Sequence, residues 1–211
     1  MKIDRAGWPF VIAAAVPAAA SAVWGPWPLT LVLVLLPLGM AAFFRDPERR
    51  IPTAAGLVLA PADGTVQYAG PAAPADAPPG QWLQVTIFLA LTDVHINRTP
   101  VPGQVVKVEY VPGTFRPAYR PDSSQNEHSE IWIETGHGMV VTRQVVGVLA
   151  RRVVCRVRPG ETLAPGARIG LMKFGSRMDV FVPTTATLTV ARGDTVRGGV
   201  TVVAHLAARN A

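Results

Sequence analysis

Cysteine is almost absent: one residue in 211, Cys155, which excludes an intrachain disulfide and fits a reducing compartment. Within the apolar run Val153-Val154-Cys155 it reads as core packing. Charged residues make up only 16% of the chain and aromatics 7%. No aromatic-interleaved basic segment or nucleic-acid motif is present, so no nucleic acid partner is expected. Nor is there a Cys/His spacing that suits zinc or a glycine-rich phosphate loop, so neither a bound metal nor a nucleotide is expected. After residue 50 no stretch carries the apolar period of an amphipathic helix of ordinary length. That excludes alternating helices and strands and points to a mainly β, or all-β, domain.

Charge is missing altogether from residues 7–44. Two apolar runs, residues 8–23 and 29–44, are separated by Gly25-Pro26-Trp27-Pro28. Each falls a little short of the roughly 20 residues that an untilted helix needs to cross a bilayer. Lys2 and Arg5 precede the first run and Arg45, Arg49 and Arg50 follow the second, which puts both ends on the cytoplasmic side. Residues 1–44 therefore read as an N-terminal transmembrane helical hairpin in the inner (plasma) membrane. A cleaved signal peptide fits the first run alone, but not a second run straight after it. Residues 45–211 form the remaining domain, on the cytoplasmic side, entered through Arg45-Asp46-Pro47-Glu48-Arg49-Arg50.

The net charge of +6 is unevenly spread. From Arg143 to Arg177 lie Arg143, Arg151, Arg152, Arg156, Arg158, Arg168, Lys173 and Arg177, against Glu161 alone. Beside a membrane anchor such a face favours anionic phospholipid headgroups; a solvated surface without a ligand is the plain alternative. Strands are expected at residues 57–60, 65–68, 82–90, 105–111 and 131–134, with two more in 139–157 broken at Gly147. Residues 69–80, rich in Pro and Ala, read as a loop. Gly160-Glu161-Thr162-Leu163-Ala164-Pro165-Gly166 recurs as Gly193-Asp194-Thr195-Val196-Arg197-Gly198-Gly199. Two such half-motifs around a hairpin are similar to a biotinyl or lipoyl carrier domain, in which Lys173 would be the modified residue.

Between the two copies lies Leu171-Met172-Lys173-Phe174-Gly175-Ser176-Arg177-Met178-Asp179-Val180. A serine after a glycine sets a hydroxyl next to an unhindered carbonyl. If Ser176 attacks the Gly175 carbonyl, the amide becomes an ester, β-elimination breaks the chain, and the resulting dehydroalanine hydrolyses to a pyruvoyl group. That covalent cofactor forms a Schiff base with an amine and acts as an electron sink for decarboxylation. Activation of Ser176 needs a base and a group that fixes it, roles open to His95 and Asp63. Asp63 otherwise reads as a turn former in Asp-Gly. His128 falls in a polar stretch that reads as a loop able to touch substrate, His137 in a hairpin turn, and His205 in a C-terminal strand.

With these pieces in order, the chain resembles the phosphatidylserine decarboxylases, in particular the short, membrane-anchored bacterial type. The matching text is Phe44-Arg45-Asp46-Pro47-Glu48-Arg49, Pro61-Ala62-Asp63-Gly64, Asp93-Val94-His95-Ile96-Asn97-Arg98, Asn126-Glu127, Ala150-Arg151-Arg152-Val153-Val154 and Phe174-Gly175-Ser176-Arg177-Met178-Asp179-Val180. The resemblance implies conversion of phosphatidylserine to phosphatidylethanolamine and carbon dioxide, and a self-processing triad of Asp63, His95 and Ser176. It implies cleavage between Gly175 and Ser176 into a β chain, 1–175, and an α chain, 176–211, held together noncovalently. It also implies a barrel-sandwich fold similar to that of carrier domains, which accounts for the repeat without lysine modification. Relatives acting on archaeal-type serine lipids share these motifs. One departure stands out: longer members carry a histidine where this chain has Thr92, which leaves His95, His128 or water to return the proton. A carrier modified at Lys173 and an uncleaved, inactive β domain are the competing readings.

Overall fold

A computed structural model describes residues 2–74, 76–117, 125–147, 153–173 and 176–208. The chain divides after Glu48 into two compact units.

The first unit closes on itself where β1 (Lys2–Ile3) pairs with β2 (Arg45–Asp46). Asp4 caps a short 3-10 turn, Arg5–Gly7, by accepting from Ala6 N at 2.9 Å. Two helices of 17 residues follow, α1 (Trp8–Trp24) and α2 (Trp27–Phe43). Pro9 and Pro28 stand in their first turns, where a missing N–H costs nothing. The helices run back to back, and the Ser21 and Thr30 hydroxyls hydrogen-bond at 2.9 Å near the connection. Ile12, Val16, Leu31, Val32, Leu35 and Leu38 face outward, exposed. An aqueous helix pair buries such residues; a bilayer accepts them. Residues 5–24 form one helical stretch of 20 residues long and apolar enough to span, whereas α2 is shorter.

The second unit is built from β3 (Leu57–Leu59), β4 (Gly64–Pro71), β5 (Trp82–Leu89), β6 (Ile96–Arg98), β7 (Gly103–Val111), β8 (His128–Thr135), β9 (Gly138–Val145), β10 (Val153–Cys155), β11 (Thr162–Leu163), β12 (Arg168–Met172), β13 (Ser176–Pro183), β14 (Thr187–Leu188), β15 (Thr195–Val196) and β16 (Val202–His205). The described residues of this unit include no α-helix, in line with the mainly β expectation. An eight-stranded sheet has the order β11-β7-β8-β9-β13-β5-β4-β15, and two three-stranded sheets have the orders β10-β12-β6 and β14-β16-β3. Alternation along each strand sends Val85, Ile87 and Leu89, Ile131 and Ile133, and Met178, Val180 and Val182 into one core. The opposite face carries Thr86, Glu130, Arg143, Arg177, Asp179 and Phe181, and it too is buried.

Two boundaries differ from the sequence expectation by three residues. β4 runs on to Pro71, into the stretch read as a loop, because β5 pairs with it along that length. β8 begins at His128 rather than at 131, because β7 and β9 flank it on both sides. Pairing of the backbone outweighs the polarity of the sequence there. The repeat at 160–166 and 193–199 supplies β11 and β15, the two opposite edges of the large sheet.

Candidate active site

Ser176 opens β13, the strand between β9 and β5, and stands directly across from Leu89. The β4–β5 register, Thr65 opposite Phe88, brings Gly64 to the other side of Leu89 and Asp63 to the same sheet end. His95 follows from the turn after β5. Asp93 shapes that turn: its N–H donates to Ala90 O at 2.9 Å and its carboxylate accepts from Ala90 N at 2.8 Å. The chain then enters β6, which pairs with β12, and Met172 N donates to His95 O at 3.4 Å. His95 is thereby tied to the strand end four residues before Ser176.

Both side chains are buried, His95 1% exposed and Ser176 fully covered. His95 Nδ1 lies 3.0 Å from Asp93 O. A carbonyl only accepts, so in the neutral ring Nδ1 carries the proton and Nε2 holds the lone pair a general base needs. The Ser176 Oγ has no hydrogen-bond partner. Buried hydroxyls are ordinarily satisfied, so a bare one marks a group kept for another use.

Asp63 is held differently from a residue that simply orients an imidazole. One carboxylate oxygen accepts from Gly198 N at 2.7 Å and the other from Arg49 at 2.7 Å. The turn before it is fixed by Arg98 N, which donates to Pro61 O at 2.8 Å. The structure thus brings Asp63, His95 and Ser176 to one end of the sheet, with the Nδ1 proton of His95 taken by the Asp93 carbonyl. Gly175, the residue expected on the other side of the scissile bond, lies outside the described residues, as do Phe174, Arg151 and Arg152.

A family model described as phosphatidylserine decarboxylase matches residues 38–204. Proteins named phosphatidylserine decarboxylase proenzyme are similar over nearly the whole length. That of Nitrosomonas eutropha is 42% identical over 96% of this chain and 94% of its own; that of Burkholderia pseudomallei is 42% identical over 97% and 95%. The chain belongs to the phosphatidylserine decarboxylase family.

Two sequence expectations for this decarboxylase need correction. His128 is not in a loop open to substrate: it starts β8, is 7% exposed, and its Nδ1 lies 2.7 Å from Asn126 O. By register it sits opposite Val145, itself opposite Arg177, so it lies on the sheet face away from the Ser176 side chain. Nor are Arg143 and Arg177 part of a basic surface. Arg177 pairs with the fully buried Asp179 at 2.9 Å, and Thr86 donates to the same carboxylate at 2.8 Å. Arg143 donates to Glu130, and its guanidinium lies over the Phe181 ring. Burial alone would raise the Glu130 carboxyl, but hydrogen bonds from His128, Arg143 and Trp132, with the Arg143 charge, hold it down at about 2.

Asn97 and Gln144, both wholly buried on the inner side, escaped the sequence reading. The available signal was Gln144 two positions after Thr142 and four after Val140, on the inward-facing side of β9, where a buried amide is out of place unless it serves a site.

Proposed function

We propose that this family member is a membrane-anchored proenzyme that cleaves itself between Gly175 and Ser176 and then converts phosphatidylserine to phosphatidylethanolamine and carbon dioxide. The observation that carries the reading is the wholly buried, unpartnered Ser176 hydroxyl at the sheet end that also holds the buried His95. His95 acts as general base toward that hydroxyl, with Asp63 supplying negative charge at the same end.

The residues present fit a pyruvoyl group at position 176. Conversion removes a hydroxyl that makes no hydrogen bond, and leaves a carbonyl in a site from which bulk water is excluded. The pyruvoyl group supplies an electrophilic carbonyl that takes the substrate amine and draws off the electrons of the departing carboxylate. His95, buried at the same sheet end, is the residue suited to return a proton to the product. With His128 on the far face, His95 is the better-placed of the two.

Cleavage would not release the α chain, 176–211. Its first strand, β13, is paired with β5 on one side and β9 on the other, and β15 and β16 pair with β4 and β3. That interleaving supports a noncovalent β/α pair. The apolar hairpin holds the domain at the inner face of the plasma membrane, where the lipid substrate is concentrated.

The deciding experiment is denaturing intact-mass analysis of C-terminally tagged chain beside Ser176→Ala. A tagged fragment starting with a pyruvoyl group, absent in the variant, is expected. An unbroken wild-type chain would overturn the mechanism.

A further inference from the structure

Asn97 and Gln144 form a buried amide pair: Gln144 Nε2 donates to Asn97 Oδ1 at 2.8 Å. Asn97 Nδ2 and Gln144 Oε1 are left bare, and with Ser176 Oγ they are the buried side-chain atoms without a partner among the described residues. Leaving such atoms bare forfeits their hydration for no return in the resting chain. All three belong to the same end of the inner face. Gln144 stands opposite Met178, one inward step along β13 from Ser176, and Asn97 is one such step from His95. Gln144 reaches β6 over Gly170, which pairs with Asn97; a Cβ at 170 would stand 3.0 Å from Gln144 Nε2 and collide with the Val154 carbonyl. The chain keeps a lane open for this pair.

We propose that Asn97 donates the hydrogen bond that stabilises the oxyanion formed on the Gly175 carbonyl during self-cleavage, with Gln144 as its positioning residue. This rests on the self-cleavage reading given above. In that step Ser176 Oγ bonds to the Gly175 carbonyl carbon, the Oγ proton passes by way of His95 to the Ser176 nitrogen, and the carbon–nitrogen bond breaks. The product is an ester with a free amine. The step therefore creates one new acceptor, the oxyanion, and one new donor, the freed amine. These are the counterparts of the bare Asn97 Nδ2 and the bare Gln144 Oε1. A donor unmet at rest and met only as charge develops lowers the barrier rather than the ground state.

The test uses the full chain made by cell-free synthesis in detergent micelles, with processing followed by intact mass in wild type, Asn97→Asp and Ser176→Ala. Asn97→Asp keeps the volume and the acceptor for Gln144 Nε2 but loses the N–H. A folded Asn97→Asp chain, judged by an unchanged far-ultraviolet circular dichroism spectrum, should process about 100-fold more slowly, the cost of losing one oxyanion donor. Hydroxylamine, which cuts esters, should not rescue it, because the block precedes the ester. Processing at the wild-type rate overturns the proposal, and so does rescue by hydroxylamine, which would set the defect after ester formation. Should Asn97→Asp fail to fold, Gln144→Met decides: slowed processing without rescue supports the proposal, and the wild-type rate overturns it. A wild-type chain that stays whole, as Ser176→Ala should, overturns the self-cleavage reading and this proposal with it. A defect confined to the amide variants leaves the reading standing.

Discussion

Gly64 on β4 and Gly103 on β7 hold the same place in two halves of one sheet. Their φ angles are +153° and +154°, and a Cβ on either would run into a backbone carbonyl, Phe88 O or Glu134 O. Gly64 pairs with Val196 of one edge strand and Gly103 with Leu163 of the other. Each strand is bulged just beyond, between Val66 and Tyr68 and between Val105 and Lys107. Carried across the sheet, the correspondence sets Leu89 against Thr135 and Ser176 against Gly138, and it crosses β13 and β9 at the Val180–Thr142 pair. The large sheet is a near-twofold with the candidate site at one end. Pro102 stands where the other half has Asp63, and that end holds an apolar cavity of about 240 Å³ lined in part by Pro102, Thr135 and His137.

The two glycines should therefore part company on substitution. Gly64→Ala and Gly103→Ala are each expected to destabilise by more than about 1 kcal/mol, since both force a side chain into a positive-φ, obstructed position. Only Gly64→Ala, next to Asp63, is expected to slow self-cleavage in the fraction that remains folded. Thermal unfolding with intact mass on the same samples separates the two effects. Equal processing in both variants would dissociate Asp63 from the reaction.

Ser176→Ala should leave one unbroken chain that is no less stable than the uncleaved wild type. The hydroxyl makes no hydrogen bond, so its removal relieves an unmet polar group, worth about 1 kcal/mol or more in its favour. A marked loss of stability, read by thermal unfolding of uncleaved material, would show that Ser176 is a packing residue.

How much of this was legible beforehand depended on whether a residue's setting is local. Ser176, His95 and Asp63 each sit beside a turn or a strand end with a recognisable neighbour, and the longer strands announced themselves by alternation, as in residues 82–90. The hairpin was written in an uncharged stretch. His128 was misjudged because its neighbours are polar, and the sequence does not show that Glu130 and Arg143 meet inside a sheet. Arg143 and Arg177 were counted as surface charge for the same reason: their carboxylate partners come from pairing geometry. Asn97 and Gln144 lie 47 positions apart and acquire meaning only where β6 passes over Gly170. The short strands β6, β11, β14 and β15, of two or three residues, are too brief for any period to register.

Glu130 gives the domain an acid-sensitive element. Its carboxyl is held at about 2, below the 4.5 of an unhindered glutamate. A depressed folded-state pKa contributes stability that is complete above the unfolded value and is lost as pH falls through the folded one. Stability should therefore decline between about pH 4.5 and 2, with Glu130 contributing on the order of 2 kcal/mol to the fall. Glu130→Gln should flatten that limb while costing about 3 kcal/mol at neutral pH, because it strands the buried Arg143 charge. Urea unfolding of both chains across this range measures the difference, and an unchanged acid limb in the variant would contradict the assignment.

Asp63 can act in two ways that its contacts distinguish. If it only holds the turn, Asp63→Asn should process normally, because an amide oxygen still accepts from Gly198 N. If its charge supports a developing imidazolium on His95, the same variant should process at least about 100-fold more slowly, as loss of the buried carboxylate does in hydrolase triads. The second outcome is expected. The Asp93 carbonyl already takes the Nδ1 proton, so orienting the ring does not require Asp63, and its charge is the contribution that remains. Arg49 tempers that charge through the 2.7 Å ion pair. Arg49→Met should accordingly process at least as fast as wild type at neutral pH, after allowing for any unfolded fraction. Slower processing in the folded Arg49→Met chain would mean that the arginine places the carboxylate rather than dampens it.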